Sequence, residues 1–362
     1  MAQLEELLEL LIERGGSDLH MSAGSPPRLR VDGDLTPTNH PKLTEETSKA
    51  LIYSILNNEQ IARFESDLEL DLSFGISGMG RFRTNVFMQR GAVGAVMRLI
   101  PFDVWPLSRI GLNVELVDQI CAKPKGLVLV TGATGSGKST TLAAMIDSIN
   151  RVRTGHIVTI EDPIEFVHRN QRCLVNQREV GTDTRGFGKA LRAVLRQDPD
   201  VILIGEMRDQ ETIQAALTLS ETGHLTFGTL HTSDCVQTIN RIVDVFPAHQ
   251  QQQIRTQLSF TIEAIFCQVL LPRRNSRGRV LACEVLVANS AVRGLIRDNK
   301  AHQIYSIIQT GARQGMMTLN QSLFELYRTG QISLDDAMAA TGDPEDLKRT
   351  FQTLQGQPLA TG

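Results

Sequence analysis

The chain has 362 residues, 41% of them apolar, and a formal net charge of −3; this is material for about two domains of water-soluble type, without the surplus of Lys and Arg that holds nucleic acid. Its five cysteines, Cys121, Cys173, Cys235, Cys267 and Cys283, are odd in number and form no Cys-x-x-Cys pair, which indicates neither a disulfide framework nor a zinc module and leaves reduced cytoplasmic thiols as the expectation. The N-terminus lacks a signal-peptide pattern and no apolar run approaches the ~20 residues that cross a bilayer, so membrane contact is expected only through a partner.

In chain order, Leu4, Leu7, Leu8 and Leu11 fall at helical spacing ahead of Gly15-Gly16 and predict an amphipathic first helix. Residues 28–35 have the form of a hairpin turning at Asp32-Gly33, and one helix is expected near 45–64, capped by Thr44. Period-two alternation at 70–74 and 81–89, then an apolar run at 93–100, completes a small α+β domain over 1–100. Pro101, Trp105, Pro106 and Gly111 break the periodicity and mark a linker, 101–113. Over 114–289, short apolar runs at 127–130, 157–160, 201–204 and 225–230 alternate with helix-like stretches. That is the rhythm of an α/β domain with a largely parallel sheet and helices on both faces. Residues 290–362 read as a helical region with breaks at Gly311, Gly330 and Gly342.

Gly132-Ala133-Thr134-Gly135-Ser136-Gly137-Lys138-Ser139 matches the phosphate-binding loop pattern, directly after an expected strand and before a helix that continues at Thr140. Glycines let successive N–H groups face phosphate oxygens, the helix N-terminus adds positive dipole, Lys138 reaches the β and γ phosphates, and Ser139 offers a hydroxyl to Mg²⁺. A nucleoside triphosphate, ATP, with Mg²⁺ is the expected ligand. The apolar run 201–204 ends in Gly205-Glu206, at the strand end where parallel sheets hold ligands, so Glu206 is the expected residue to orient or activate water. Asp198 and Asp200 precede that strand and read as turn or capping residues. Another run ends in Ile160-Glu161-Asp162-Pro163-Ile164-Glu165. Such a cluster alone also reads as a solvated acidic loop; beside a phosphate loop, Asp162 and Glu165 are expected to help hold hydrated Mg²⁺ or polarise water.

His224 and His231 bracket the run 225–230. Seven apart, they lie on opposite faces of an ideal strand and up to roughly 23 Å apart along it. His231, nearer the ligand edge, is expected to sense the nucleotide, and His224 to pack or face an interface. Arg81 and Arg83 fall on one face of an alternating strand with Phe82 on the other, and Arg98 lies on a neighbouring run. They suit either a solvated surface or charge stabilisation at a γ phosphate, the latter on a neighbouring subunit of a ring. Arg273-Arg274-Asn275-Ser276-Arg277-Gly278-Arg279, with turn residues and no aromatic side chain, reads as a solvated hairpin rather than a nucleic-acid surface.

Together, Gly132 to Ser139, Glu161-Asp162-Pro163-Ile164-Glu165, Ile204-Gly205-Glu206-Met207-Arg208-Asp209, and Thr222-Gly223-His224 to His231-Thr232 resemble, in order and spacing, the Walker A, Asp, Walker B and His boxes of the secretion ATPases. The likeness extends over nearly the whole chain, including Ser17-Asp18-Leu19-His20, and is strongest to pilus-retraction members. It implies a PAS-like N-terminal domain, a RecA-like ATPase domain and a cytoplasmic homohexamer docked on the inner-membrane platform protein of a pilus machine, with a paralogous ATPase as a further partner. It also implies that Glu165 and Glu206 are the catalytic carboxylates, that Arg81, Arg83 and Arg98 include arginine fingers, and that His224 and His231 act together. The retraction-associated segment of these ATPases is matched by Ala291-Val292-Arg293-Gly294-Leu295-Ile296-Arg297-Asp298, with Gly294 the least conservative departure and Arg293 and Arg297 expected on one exposed face.

The competing readings are a pilus-extension or type II secretion ATPase, a DNA translocase and a nucleotide-binding adaptor without turnover. The first would share the hydrolytic residues, but the N-terminal region is short and the four-cysteine module common in such relatives is missing. The second has no evident binding surface, and intact Lys138, Ser139 and Glu206 speak against the third.

Overall fold

Leu4, Leu7, Leu8 and Leu11 line the buried side of α1 (Ala2–Glu13), as their spacing predicts. The computed structural model describes residues 2–31, 33–76, 79–100 and 104–355. The chain divides into two units, Met1–Asp103 with Glu165–Val167, and Val104–Ile164 with His168–Gly362.

In the first unit, α1 is followed by β1 (Asp18–Met21), β2 (Arg28–Val31), β3 (Asp34–Pro37), α2 (Glu45–Tyr53), α3 (Asn58–Asp67), β4 (Glu69–Ile76), β5 (Gly80–Gln89) and β6 (Ala92–Ile100). The strands form one antiparallel sheet in the order β3-β2-β1-β6-β5-β4. Phe82, Val86, Ala95 and Met97 face a core shared with Leu8, Ile52 and Phe64 of the helices. The expected hairpin is present, with Val31 opposite Asp34; Asp32 of its turn and Pro101 of the linker lie outside the described residues.

The single helix expected near 45–64 is in fact two. Thr44 caps α2 as read, but that helix stops at Tyr53. Asn57 then opens a second capping box, its Oδ1 accepting the Gln60 N–H and its own N–H donating to Gln60 Oε1, both at 2.9 Å. Two side chains that satisfy each other's backbone N–H in this way favour a helix start over a helix interior.

The second unit begins with α4 (Leu107–Ile110), a short helix inside the expected linker, and α5 (Val114–Cys121). Then come β7 (Gly126–Thr131), α6 (Lys138–Val152), β8 (His156–Glu161), β9 (Leu174–Glu179), α7 (Phe187–Val194), β10 (Val201–Ile204), α8 (Gln210–Glu221) and β11 (Leu225–Leu230). The chain continues through α9 (Cys235–Asp244), α10 (Ala248–Thr261), β12 (Ile262–Pro272), β13 (Arg279–Val287) and α11 (Ser290–Arg297). It closes with α12 (Ile304–Thr310), α13 (Leu319–Arg328), α14 (Leu334–Ala340) and α15 (Pro344–Gln355), broken at the expected glycines. The sheet order is β13-β12-β7-β11-β10-β8-β9, all neighbours parallel except the β12–β13 hairpin. Successive residues of β7 serve opposite cores: Leu127 and Leu129 join the α7–α10 side, Val128 and Val130 the α5–α6 side. A strand buried on both faces must be apolar throughout, which is why 127–130 was legible as one. Strands β9, β12 and β13 were not anticipated in full, although the basic run 273–279 does form the turn of a hairpin.

Arg293 departs from its expected exposed position. It donates to the Ser259 and Phe260 carbonyls at 2.9 Å each and to Glu263 at 2.8 Å, and Glu263 also receives Lys123 at 2.5 Å. Gly294 sits beside it with open space: an added Cβ would meet nothing nearer than Arg297 Nη2 at 4.0 Å. Gly294→Ala is therefore expected to stabilise the protein by about 0.5–1 kcal/mol through helix propensity, seen as a higher urea midpoint at unchanged slope.

Candidate nucleotide site

Strands β7, β11, β10 and β8 lie side by side and parallel, with Leu230 level with Thr131 and Ile204 level with both Gly228 and Ile160. Their C-terminal ends therefore deliver the segments 132–139, 231–232, 205–209 and 161–162 to one edge of the sheet. This is where backbone N–H groups and helix starts converge in an α/β domain.

The loop 132–137 is shaped by glycines at positions no other residue could fill unchanged. Gly132 has φ +138, and a Cβ there would stand 2.4 Å from the Gln268 carbonyl oxygen and 2.6 Å from Ser136 Oγ. Gly137, at φ +90, forms the entry to α6, whose first-turn N–H groups lack intrahelical partners and favour an anion. Lys138 turns back on the loop, donating to the Gly132 carbonyl at 2.8 Å and the Ala133 carbonyl at 3.0 Å. Ser136 is buried, Ser139 and Thr140 are half-buried, and Ala133, Thr134 and Gly135 are exposed.

Glu206 follows β10 through Gly205, whose absent side chain matters: a Cβ would lie 3.1 Å from Glu161 Cα. The Gly205 N–H donates to Ile160 at 2.8 Å, its carbonyl accepts from Thr229 Oγ1 at 2.6 Å, and the Met207 N–H donates to Thr229 at 3.0 Å. These bonds to β8 and β11 fix the direction in which Glu206 leaves the sheet. Asp209 then caps α8.

His231 Nε2 stands 3.1 Å from Glu206 Oε1, and Arg208 Nε donates to the same oxygen. Burial pushes the Glu206 carboxyl up, but the bond to Arg208, its charge and His231 outweigh burial and hold it below the ordinary value. The carboxylate is thus ionised and aimed by two neighbours. The sequence pointed to His231 as a nucleotide sensor, and the structure places it against this carboxylate. His224 is at the opposite end of β11, its Nδ1 3.0 Å from the Leu219 carbonyl and its own carbonyl accepting from Gly126. Within one chain the two histidines do not meet.

Asp162 is exposed ahead of a cis peptide to Pro163, and Glu165 is exposed on the same loop. Glu161 accepts from Thr159 Oγ1 at 2.6 Å and Gln177 at 3.1 Å. Asp200 accepts the His156 N–H at 2.7 Å at the far edge of the sheet, a turn residue as read.

In the first unit Arg83 and Arg98 face each other across β5 and β6, both exposed, with Arg81 half-buried. Like charges directly opposed cost energy. Asp18 offsets this by accepting Arg98 Nε at 2.8 Å. Burial pushes Asp18 up, but Ser17 and Arg98 outweigh it and hold the carboxyl below its ordinary value.

Three participants escaped the sequence reading. Gln268 of β12 donates to Thr141 Oγ1 of α6 at 2.7 Å, Leu270 lies against Gly137, and Arg279 donates to the Gly135 carbonyl at 3.2 Å. No local pattern marks Gln268 or Leu270, and the basic run 273–279 placed Arg279 only on a solvated hairpin, because all three reach the loop through the pairing of β12 with β7. All five thiols are free and buried. Burial pushes Cys121 up to about 12, which fits inert core thiols. Cys235, Cys267 and Glu284 cluster in the interior, where Glu284 accepts the Cys235 N–H at the start of α9.

Residues 2–339 match the family described as Type II/IV secretion system protein. The chain belongs to that family. Among its relatives, the type IV pilus retraction ATPase PilT of Pseudomonas aeruginosa is 50% identical over 343 residues, which is 95% of this chain and 99% of that one. The type IV pilus ATPase PilU of the same organism is 40% identical over 96% of this chain and 90% of its own. The crystal structure of the pilus retraction motor PilT with bound ADP superposes with a TM-score of 0.88 at 50% identity, covering 95% of this chain and 98% of that one. Among the described residues no helix is long and apolar enough to cross a membrane.

Proposed function

We propose that this chain is the ATP-hydrolysing motor of type IV pilus retraction. It works as a homohexamer at the cytoplasmic face of the inner membrane, engages the PilC-like platform protein of the pilus machine, and pairs where present with a PilU-like ATPase. The observation that carries this reading is the end-to-end match to a retraction ATPase at 50% identity, in a chain whose phosphate loop and Glu206 share one sheet edge. We assign 1–100 as the PAS-like domain, 101–113 as linker, 114–289 as the RecA-like core and 290–362 as the helical region.

In this mechanism the N–H groups of 132–140 and the α6 start bind the phosphates, and Lys138 leaves its loop carbonyls for the β and γ oxygens. Ser139, with Asp162 and Glu206 at the same sheet edge, offers the oxygen donors that Mg²⁺ takes, and the ion when bound would neutralise phosphate charge. Glu206, ionised and aimed by His231 and Arg208, accepts a hydrogen bond from the attacking water. Arg81, Arg83 and Arg98 act on the site of a neighbouring subunit, with Asp18 holding Arg98 by one edge of its guanidinium. His224, remote from its own phosphate loop, belongs to the subunit interface. Closure around ATP turns one unit against the next and becomes movement.

The test is a count of surface pili and a motility assay in source cells whose only copy carries Glu206→Gln. Excess pili with lost surface motility are expected. Bald cells would assign the motor to extension, and unchanged cells would point to an adaptor or to another secretion system.

A further inference from the structure

A loop that turns its N–H groups toward phosphate turns its carbonyls away, and a side-chain donor on an outward carbonyl fixes its direction where water would leave it free. The Gly132 and Ala133 carbonyls accept from Lys138 Nζ, and the Ala133 carbonyl also from the Ser136 N–H at 3.2 Å. The Gly137 carbonyl takes the first helical bond of α6, from Thr141 at 3.0 Å. The Gly135 carbonyl, at the exposed tip, is met by Arg279 Nη1 from a strand 144 residues further along the chain.

The backbone that carries Arg279 is held in place. Strand β12 runs beyond the end of β7, whose last residue Thr131 pairs with Cys267, and so forms a wall along the loop. On that wall the Gln268 carbonyl flanks Gly132 and Leu270 flanks Gly137. Pairing of Pro272 with Arg279 starts β13 at the level of the loop tip. The hairpin turn is closed by Arg273 N–H to the Gly278 carbonyl at 3.1 Å, and it is clasped to Gln331 by the Arg274 N–H at 2.8 Å and the Arg273 guanidinium at 3.1 Å.

We propose that Arg279 is a positioning residue for nucleotide: by holding the Gly135 carbonyl outward it keeps the neighbouring N–H groups facing the diphosphate, and so sets affinity through the β12–β13 hairpin. The inference rests on the site binding a nucleoside diphosphate or triphosphate. Its importance grows when ligand arrives. Lys138 then moves to the phosphates and withdraws from Gly132 and Ala133, whereas Arg279 has no reason to leave Gly135. A planar guanidinium also brings several N–H donors to one place, with some to spare after one carbonyl is served.

The experiment is calorimetric titration of the purified full chain with ADP and Mg²⁺, joined to steady-state ATP hydrolysis. Arg279→Ala is expected to weaken ADP about tenfold and raise the KM for ATP similarly, with kcat within about twofold of the parent, since a bond from a charged donor is worth roughly that much. Arg279→Lys should recover part of the loss, and Arg277→Ala, on the turn of the same hairpin, should match the parent. Ligand-free melting temperatures should be equal in all four proteins. ADP affinity unchanged in Arg279→Ala overturns the proposal. So does an equal loss in Arg277→Ala, which would mean only general positive charge, or a fall in kcat at constant affinity. A parent that fails to bind ADP would instead remove the nucleotide reading beneath it.

Discussion

Glu206→Gln protein is expected to hydrolyse ATP at least about a hundredfold more slowly than the parent while binding ADP within about twofold of it. The amide keeps the size of the side chain, and the bonds of Gly205 and Met207 to β8 and β11 still set where it leaves the sheet, while the ionic hold of Arg208 is lost. What is lost is a negative acceptor for the water proton. The electrostatics give the pH dependence its sign. Arg208 and His231 hold the carboxyl below its ordinary value, so the ionised form persists above that value and activity due to Glu206 disappears only as pH falls through the lowered one. An acid limb near neutrality in the parent would have to come from another group. Single-turnover hydrolysis beside ADP titration decides the matter: equal hydrolysis by the two proteins would remove Glu206 from the reaction.

Gly132→Ala is expected to abolish measurable nucleotide binding and to cost about 1–3 kcal/mol of stability. Two effects act together. The backbone at φ +138 is one that side chains rarely adopt, and the new methyl would press on the carbonyl oxygen of Gln268, a residue paired with Cys283 of β13 and so not free to swing aside. Gly135→Ala is the informative contrast. Its φ of +79 carries strain, but nothing lies within 4 Å of its Cβ position, so about 1 kcal/mol and a modest affinity loss are expected. Equal behaviour of the two variants, in urea unfolding and in ADP titration, would show that the wall formed by β12 does not constrain the loop.

The strands carrying the site could be read from the sequence because burial on both faces leaves no choice but short apolar runs. Strand β9 could not: it is an edge strand reading Leu-Val-Asn-Gln-Arg-Glu with Leu174 half exposed, and partial exposure erases the signal. The break between α2 and α3 depends on two amides, Asn57 and Gln60, each bonding the other's backbone N–H in preference to a continuing helix. Glu206 and the phosphate loop follow local rules, a turn after an apolar strand, and their place at one edge came from counting strands. Which side chains then touch was not legible. His231 meets Glu206 because β11 lies between β7 and β10, and Arg293 is drawn inward by Glu263 and two carbonyls at the end of α10. Those are facts of sheet order and long-range packing, which no window of sequence contains.

The sheet order also sets a timetable for synthesis. Strand β7, which launches the phosphate loop, has as its neighbours β11 and β12, with Gly126 opposite Leu225 and Leu127 opposite Ile262. Both partners follow by more than ninety residues. At about 5–20 residues per second, the nascent chain spends several seconds with the apolar strand of the loop made and no sheet to receive it, while the first unit already has every strand of its own sheet. The ribosome thus releases a finished antiparallel sheet ahead of a largely parallel one that closes late, and chaperone dependence should concentrate in that interval.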